Sequence, residues 1–140
     1  MERTITNPMR YQDWPLRLEQ AIAAHQGRRF RYGRMDCVRF AAECVKAMTG
    51  EDYIKPWRGR YESKTEAEAL LRDAGGLQEA ATSMLGPEIP VNLAKRGDVL
   101  LFDFDGGSLG ICMGAKAAVC ARSRGVTFIR ARDAIAAWSV

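Results

Sequence analysis

The period of the apolar positions changes once along the chain. In "DWPLRLEQAIAAHQG", Leu18, Ile22 and His25 recur at helical spacing, with Asp13 placed to cap the segment and Gly27 to end it. "DCVRFAAECVKAMTG" repeats the pattern more strongly. Cys37, Ala41, Cys44 and Met48 line one stripe, Asp36 stands at the N-cap position, and Gly50 follows the last turn. "EDYIKPWRGRYES" breaks the period with Pro56 and Gly59 and reads as an irregular loop. "TEAEALLRDAGG" predicts a third helix, with Thr65 and Glu68 in capping-box spacing and Gly75 and Gly76 as its stop. "LQEAATSML" predicts a short fourth helix, and Gly86, Pro87 and Pro90 mark a connection.

After "KRGD" the runs become short and apolar or alternate with period two: "DVLLFDF", "SLGICMG", "AAVCARS", "VTFIRAR" and "AAWSV". They predict up to five strands in an antiparallel meander, with Trp138 turned into the core. The expectation is an α+β fold in a single domain over 1–140. A helical part, 1–90, packs on a small antiparallel sheet, 97–140, mainly through the second helix.

Composition agrees with such a domain. The chain has 140 residues, 47% hydrophobic and 27% charged, enough apolar material for its own core. It has no apolar run of membrane-spanning length, so no span is expected. "MERTITNPMRYQDW" has no apolar signal core, which predicts a chain made and at first kept in a cytoplasm. The net charge of +4 is carried largely by arginine, with Arg28, Arg29, Arg31, Arg34 and Arg39 crowded around the second helix start. That charge is modest and no nucleic-acid motif surrounds it, so no nucleic-acid partner is predicted. The cluster reads as a solvated face or a docking surface for protein, and the planar guanidinium suits the latter. Cys37, Cys44, Cys112 and Cys120 form no C-x-x-C pair and read as free buried thiols. No cofactor is called for, although a metal or cluster site shared by the four stays open as an alternative.

Cys37 is the position with chemistry in it. A cysteine in the first turn of a helix meets unpaired amides and the helix dipole, both of which favour thiolate. Amide cleavage would also need a base, normally histidine. The one histidine, His25, lies twelve residues upstream on an apolar helix face and reads as structural before it reads as a partner of Cys37. Asp36 and Asp98 read as a helix cap and a turn residue.

"YGRMDC" opening a helix, followed by "RGDVLLF" and "SLGICMG", resembles the NlpC-type family of papain-like cysteine peptidases, which cut cell-wall peptides. The resemblance covers roughly Tyr32 to Val140. It implies a papain-like fold with Cys37 at the nucleophile position. Gly97 and Asp98 match the family's Gly-Asp strand start, and Gly110, Ile111 and Gly114 match its histidine strand. Ser108 stands where the family has histidine, and Cys120 takes the third polar position. Over nearly the whole length the chain is similar to small NlpC-like proteins of tailed phages and prophages, through "YGRMDCVRFAAECVKAMTGED", "RGRY", "RGDVLLF", "LGICMG" and "AAWSV". That implies a place in the distal tail, next to the hub.

With the histidine lost, the resemblance implies a structural or adaptor component of the tail tip, present in the host cytoplasm during assembly and then in the virion tail. The alternative is an active peptidase or amidase that cuts peptidoglycan peptides, with Cys37 as nucleophile. The adaptor's expected partners are other tail-tip or hub proteins. Candidate docking residues are Arg28, Arg29, Arg31 and Arg34 before the helix, and Trp57, Arg58, Arg60 and Tyr61 in the loop after it. Tyr53, Trp57 and Tyr61 would otherwise pin that loop to the core, which is the preferred reading of the three.

Overall fold

The structure is a computed structural model and describes residues 9–140. The first eight residues of the polar N-terminal stretch lie outside the described residues. Two helices come first, α1 (Trp14–His25) and α2 (Cys37–Thr49). α2 starts where Asp36, in extended backbone, accepts the Arg39 N–H, and it stops where Gly50 takes a left-handed conformation at φ 81°. Its buried face is wider than the predicted stripe: Val38, Phe40, Ala42 and Val45 are covered along with Ala41, Cys44 and Met48. α1 covers one side of α2, and the sheet covers another.

Two predicted caps differ from those formed. The Asp13 side chain does not cap α1; its Oδ1 accepts from Arg17 Nε at 2.7 Å, an i,i+4 pair that competes for the same oxygen. α3 (Lys64–Asp73) begins at Ser63, two residues before the expected Thr65. Ser63 Oγ accepts the Glu66 N–H at 3.1 Å, and Glu66 Oε1 accepts the Glu62 N–H at 2.9 Å. A serine–glutamate pair thus caps α3 two residues before the expected Thr65–Glu68 box, with Glu66 reaching back one residue past the cap to Glu62. α4 (Leu77–Leu85) follows directly. Among the described residues no helix is long and apolar enough to cross a membrane.

The second half forms β1 (Val99–Phe102), β2 (Ser108–Cys112), β3 (Lys116–Ala121), β4 (Gly125–Arg130) and β5 (Ala136–Trp138). All pairs are antiparallel, in the order β4-β3-β2-β1-β5. The first four strands make the predicted meander. The last strand departs from it, crossing back to pair with β1 (Val99↔Trp138, Leu101↔Ala136). A one-turn 3-10 segment, Ala131–Asp133, redirects the chain, and Ile135 N–H then bonds the Leu101 carbonyl at 2.8 Å. Burial explains the choice. Ala136, Ala137 and Trp138 are all buried and need cover on both faces. β1 offers it, with α4 placing Thr82 Oγ1 at 3.2 Å from the Trp138 indole nitrogen.

Period two sorts the sheet residues onto two faces. Val99, Leu101, Leu109, Ile111, Ala118, Cys120 and Trp138 face the helices. Leu100, Phe102, Cys112, Val119 and Ala137 face the other way, under Ile89, Val91, Ala94 and Ala134. β1 is covered on both faces, which is why "VLLF" is apolar throughout, whereas β4 at the sheet edge is partly exposed.

Asp98, expected as a turn residue, does more than turn the chain. Its side chain is nearly fully buried. Oδ2 accepts the Lys95 N–H at 2.8 Å; Oδ1 accepts Arg10 at 3.2 Å and the Val140 N–H at 3.1 Å. Arg10 also donates to the Val140 carbonyl at 2.8 Å and the Arg96 carbonyl at 3.0 Å. One carboxylate therefore ties the start of the sheet to both ends of the described chain. Because bonds to a buried charge are worth about 1.5–3 kcal/mol each and are not additive, Asp98→Ala is expected to lower unfolding free energy by about 2–4 kcal/mol in urea denaturation. A loss under about 0.5 kcal/mol would show that the ends are held by packing alone.

Candidate functional site

The site begins with a tight turn. Arg31 and Met35 exchange both backbone hydrogen bonds at 2.8 Å, and Gly33 at its apex has φ 78°. A Cβ on Gly33 would lie 2.2 Å from the Tyr61 carbonyl oxygen, so only glycine fits beneath the returning loop. The turn delivers Asp36 into the interior, at 3% exposure. Its Oδ2 accepts the Gly33 N–H at 2.8 Å and the Tyr61 hydroxyl at 2.7 Å; its Oδ1 accepts the Arg39 N–H at 2.8 Å. Asp36 is thus a cap and a loop anchor, with its oxygens committed to structure.

Cys37 follows as the first residue of α2 and faces the start of β2. The Leu109 N–H and the Ser108 hydroxyl act on its sulfur. Unlike the other three cysteines, Cys37 is half-buried, lining a cleft. Desolvation is still the largest effect on its sulfur and, with the Asp36 charge, pushes the thiol from 9.0 up to about 11, while the Leu109 N–H, Ser108 and Arg122 oppose this without reversing it. The magnitudes decide the opening question of this residue. A helix start contributes about 0.3–1 kcal/mol toward thiolate, less than one pH unit. Desolvation here outweighs it, so Cys37 is held as a thiol at neutral pH.

Ser108 is buried at the position the resemblance gives to histidine, and its hydroxyl donates to the Phe104 carbonyl at 3.1 Å. A serine has one proton to give. With that proton on Phe104, Ser108 gives a Cys37 thiolate little support, and its small effect toward thiolate is outweighed by desolvation. The third predicted residue is Cys120. Its Sγ donates to the Met35 carbonyl at 3.7 Å, and burial, followed by the charges of Cys37 and Asp36, pushes it up to about 12. Cys37 and Ser108 therefore meet at the cleft, while Cys120 lies in the core against Met35, near enough to Cys37 for their charges to interact.

His25 does not join them. Its Nδ1 sits 2.6 Å from the Ala21 carbonyl, which requires the proton on that nitrogen, and its ring meets Phe40 edge-on at 5.6 Å. It lines a separate groove with Tyr11, Glu43 and Lys46. The four cysteines do not gather either. All are free, Cys112 lies on the opposite sheet face, and among the described residues no three His, Cys, Asp or Glu side chains converge as metal ligands.

Above Cys37 and Ser108 is a cleft with about 60 Å³ of free space, walled by Phe30, Trp57, Leu70, Leu71 and Leu77, with Arg122 at its rim. Of the predicted docking residues, Arg28, Arg29, Arg31, Arg34 and Arg60 are exposed. Arg34 reaches Glu62 at 3.9 Å. Arg58 is occupied within the chain, forked onto Asp52 at 2.7 and 3.1 Å and onto Glu43 at 2.7 Å. It holds the Asp52 carboxyl below its usual range. Trp57 is half-buried in the cleft wall, and Tyr61 is buried on Asp36, so Tyr61 pins the loop. Tyr53 is buried too, yet its hydroxyl has no partner among the described residues.

Two features were missed in the sequence. Arg122 and Arg124, in the β3–β4 turn, share a groove of about 410 Å³ with Arg28 and Arg29. The leucines of α3 and α4 form the cleft's far wall. The arginines were visible as charges, but only strand pairing places them beside residues almost a hundred positions away.

Residues 9–140 match the family described as Domain of unknown function (DUF6950), and the chain belongs to that family. No curated protein matches it.

Two measurements probe this site. Alkylation of Cys37 by iodoacetamide is expected to be about two orders of magnitude slower at pH 7.5 than for a thiol of ordinary pKa, rising about tenfold per pH unit toward pH 11. A plateau near pH 7 would mean an activated thiolate. Since the folded value is raised, the thiol's contribution to folding is full below about pH 9 and is lost as pH rises through about 11. The two tyrosines should respond oppositely to phenylalanine. Tyr61→Phe removes a bond to a buried carboxylate and should cost about 1.5–3 kcal/mol; Tyr53→Phe removes an unsatisfied hydroxyl and should be neutral or stabilising by about 1 kcal/mol. Thermal melts of both variants read the signs.

Proposed function

We propose that the protein is a non-hydrolytic adaptor of a phage tail tip, next to the hub, built on a papain-like, NlpC-type frame that no longer cuts peptides. The observation that carries the loss of chemistry is the Cys37–Ser108 pair: a sulfur held as thiol, facing a serine whose proton is already given to Phe104. Serine cannot take a proton at neutral pH as imidazole does. The placement in a tail rests on the resemblance of the motifs around Cys37, Gly97 and Gly110. Its partners on this reading are other tail-tip or hub proteins, joined in the host cytoplasm and carried into the virion tail. The exposed arginines beside the cleft are the surface that reading needs, with Arg58 and Tyr61 serving the fold instead.

The competing reading, a peptidase or amidase acting on peptidoglycan peptides, has one observation in its favour: Cys37 keeps the first position of α2 beside the Leu109 N–H. The two separate cleanly. Purified protein is expected to leave peptidoglycan stem peptides intact. In the phage that encodes it, Cys37→Ser should give normal, infectious tails, whereas deletion of the protein should abolish tail completion. Cleavage of stem peptides that Cys37→Ser abolishes would overturn the adaptor reading.

A further inference from the structure

The cleft and the arginine groove are one surface, because Phe30 and Arg122 line both. We infer that this surface docks a segment of a partner protein that inserts one apolar side chain into the cleft and lays flanking carboxylates on Arg28, Arg29, Arg122 and Arg124. The inference deepens the adaptor reading and rests on it for the partner's identity as a protein.

Charge is the first argument. Arg10, Arg17, Arg34, Arg58, Arg96 and Arg130 each have a carboxylate of this chain within 4 Å. Among the described residues none of the four groove arginines does. They are exposed and come from two loops that pack on each other. Gly125 is pressed so close to the Arg28 carbonyl that a Cβ there would lie 2.3 Å from its oxygen. Asp105, in the loop before β2, has its Oδ2 committed to the Arg122 backbone N–H at 2.8 Å, which fixes the turn. Four like charges on a supported groove, with no partner supplied by the fold, complement an acidic segment.

The cleft decides what accompanies the acid. Its walls are aliphatic and aromatic, and its free space suits one side chain. A cell-wall stem peptide would bring amines and carboxylates against leucine and tryptophan, where they would go unpaired. An apolar side chain gains from the same walls. A nucleic acid would use the arginines but has no need of the closed apolar end.

The test is fluorescence anisotropy with the full chain and a labelled 11-residue peptide, a central leucine flanked by glutamates. Controls are the same peptide with alanine at the centre, a peptidoglycan stem peptide and an oligothymidine. The leucine peptide is expected to bind at least tenfold more tightly than the alanine peptide. The charge-reversal pairs Arg28→Glu/Arg29→Glu and Arg122→Glu/Arg124→Glu should each weaken it at least tenfold. These arginines make no ion pair in the described fold, so both variants should keep the parent melting temperature. Binding that ignores both pairs, dissociation constants above millimolar for every glutamate peptide, or tighter binding of the stem peptide or the oligonucleotide would each overturn the inference. The same variants placed in the phage keep the two proposals apart. Lost peptide binding with normal tails would leave the groove standing and remove the adaptor reading. Intact tail dependence on the protein without peptide binding would do the reverse.

Discussion

The Asp36 carboxylate meets three donors from three parts of the chain: the Gly33 N–H of the turn before α2, the Arg39 N–H of the first helical turn, and the Tyr61 hydroxyl of the loop after it. A buried carboxylate left without such partners would cost several kcal/mol, so each donor is held to the charge as firmly as the charge is held to it. The consequences spread from there. The cap sets where α2 begins, which puts Cys37 opposite β2. The tyrosine bond draws the irregular loop over the turn, which requires glycine at position 33 and places Trp57 in the cleft wall. The residue beside Cys37 thus organises the site through its hydrogen bonds.

Asp98 performs the matching task at the other end of the domain. There a single buried carboxylate ties β1 to Arg10 and to the Val140 backbone. Between these two anchors the core is ordinary: small alanines let α2 lie close on β2 and β3, and the face of β1, β2 and β3 toward the helices is dry. What chemistry remains at the site is governed by that dryness. The same packing that stabilises the helix–sheet contact desolvates the Cys37 sulfur and outweighs the helix start. Stability of the frame and reactivity of the thiol therefore pull in opposite directions, and nothing at Ser108 restores the balance.

The surface carries the other half of the functional argument. Arg58 looked like a docking residue because it lies in an aromatic, arginine-rich loop, yet its guanidinium is forked between Asp52 and Glu43 and braces that loop onto α2. Among the described residues Arg28 and Arg29 have no carboxylate within 4 Å, and they meet Arg122 and Arg124 across the groove. Equal charges thus fall into two roles, separated by the presence of a carboxylate within reach.

Local physics was legible in the sequence. α2 with its Asp36 cap and Gly50 stop, the change to short strands after Gly97, the burial of Trp138, and Cys37 at a helix start all follow from short-range pattern, because caps and periods depend on neighbours within a turn or two. The cap of α3 is equally local, but Ser63 with Glu66 forms it in place of Thr65 with Glu68. The rest depends on contacts between distant residues. Whether β5 continues the meander or crosses to β1 is decided by what covers Trp138. Whether an arginine is braced or free is decided by which carboxylate the fold brings near. Whether Cys37 ionises is decided by burial that no neighbour in sequence supplies. Spacing sets which side chains share a face; only the tertiary structure sets the dielectric and the partners that the face meets.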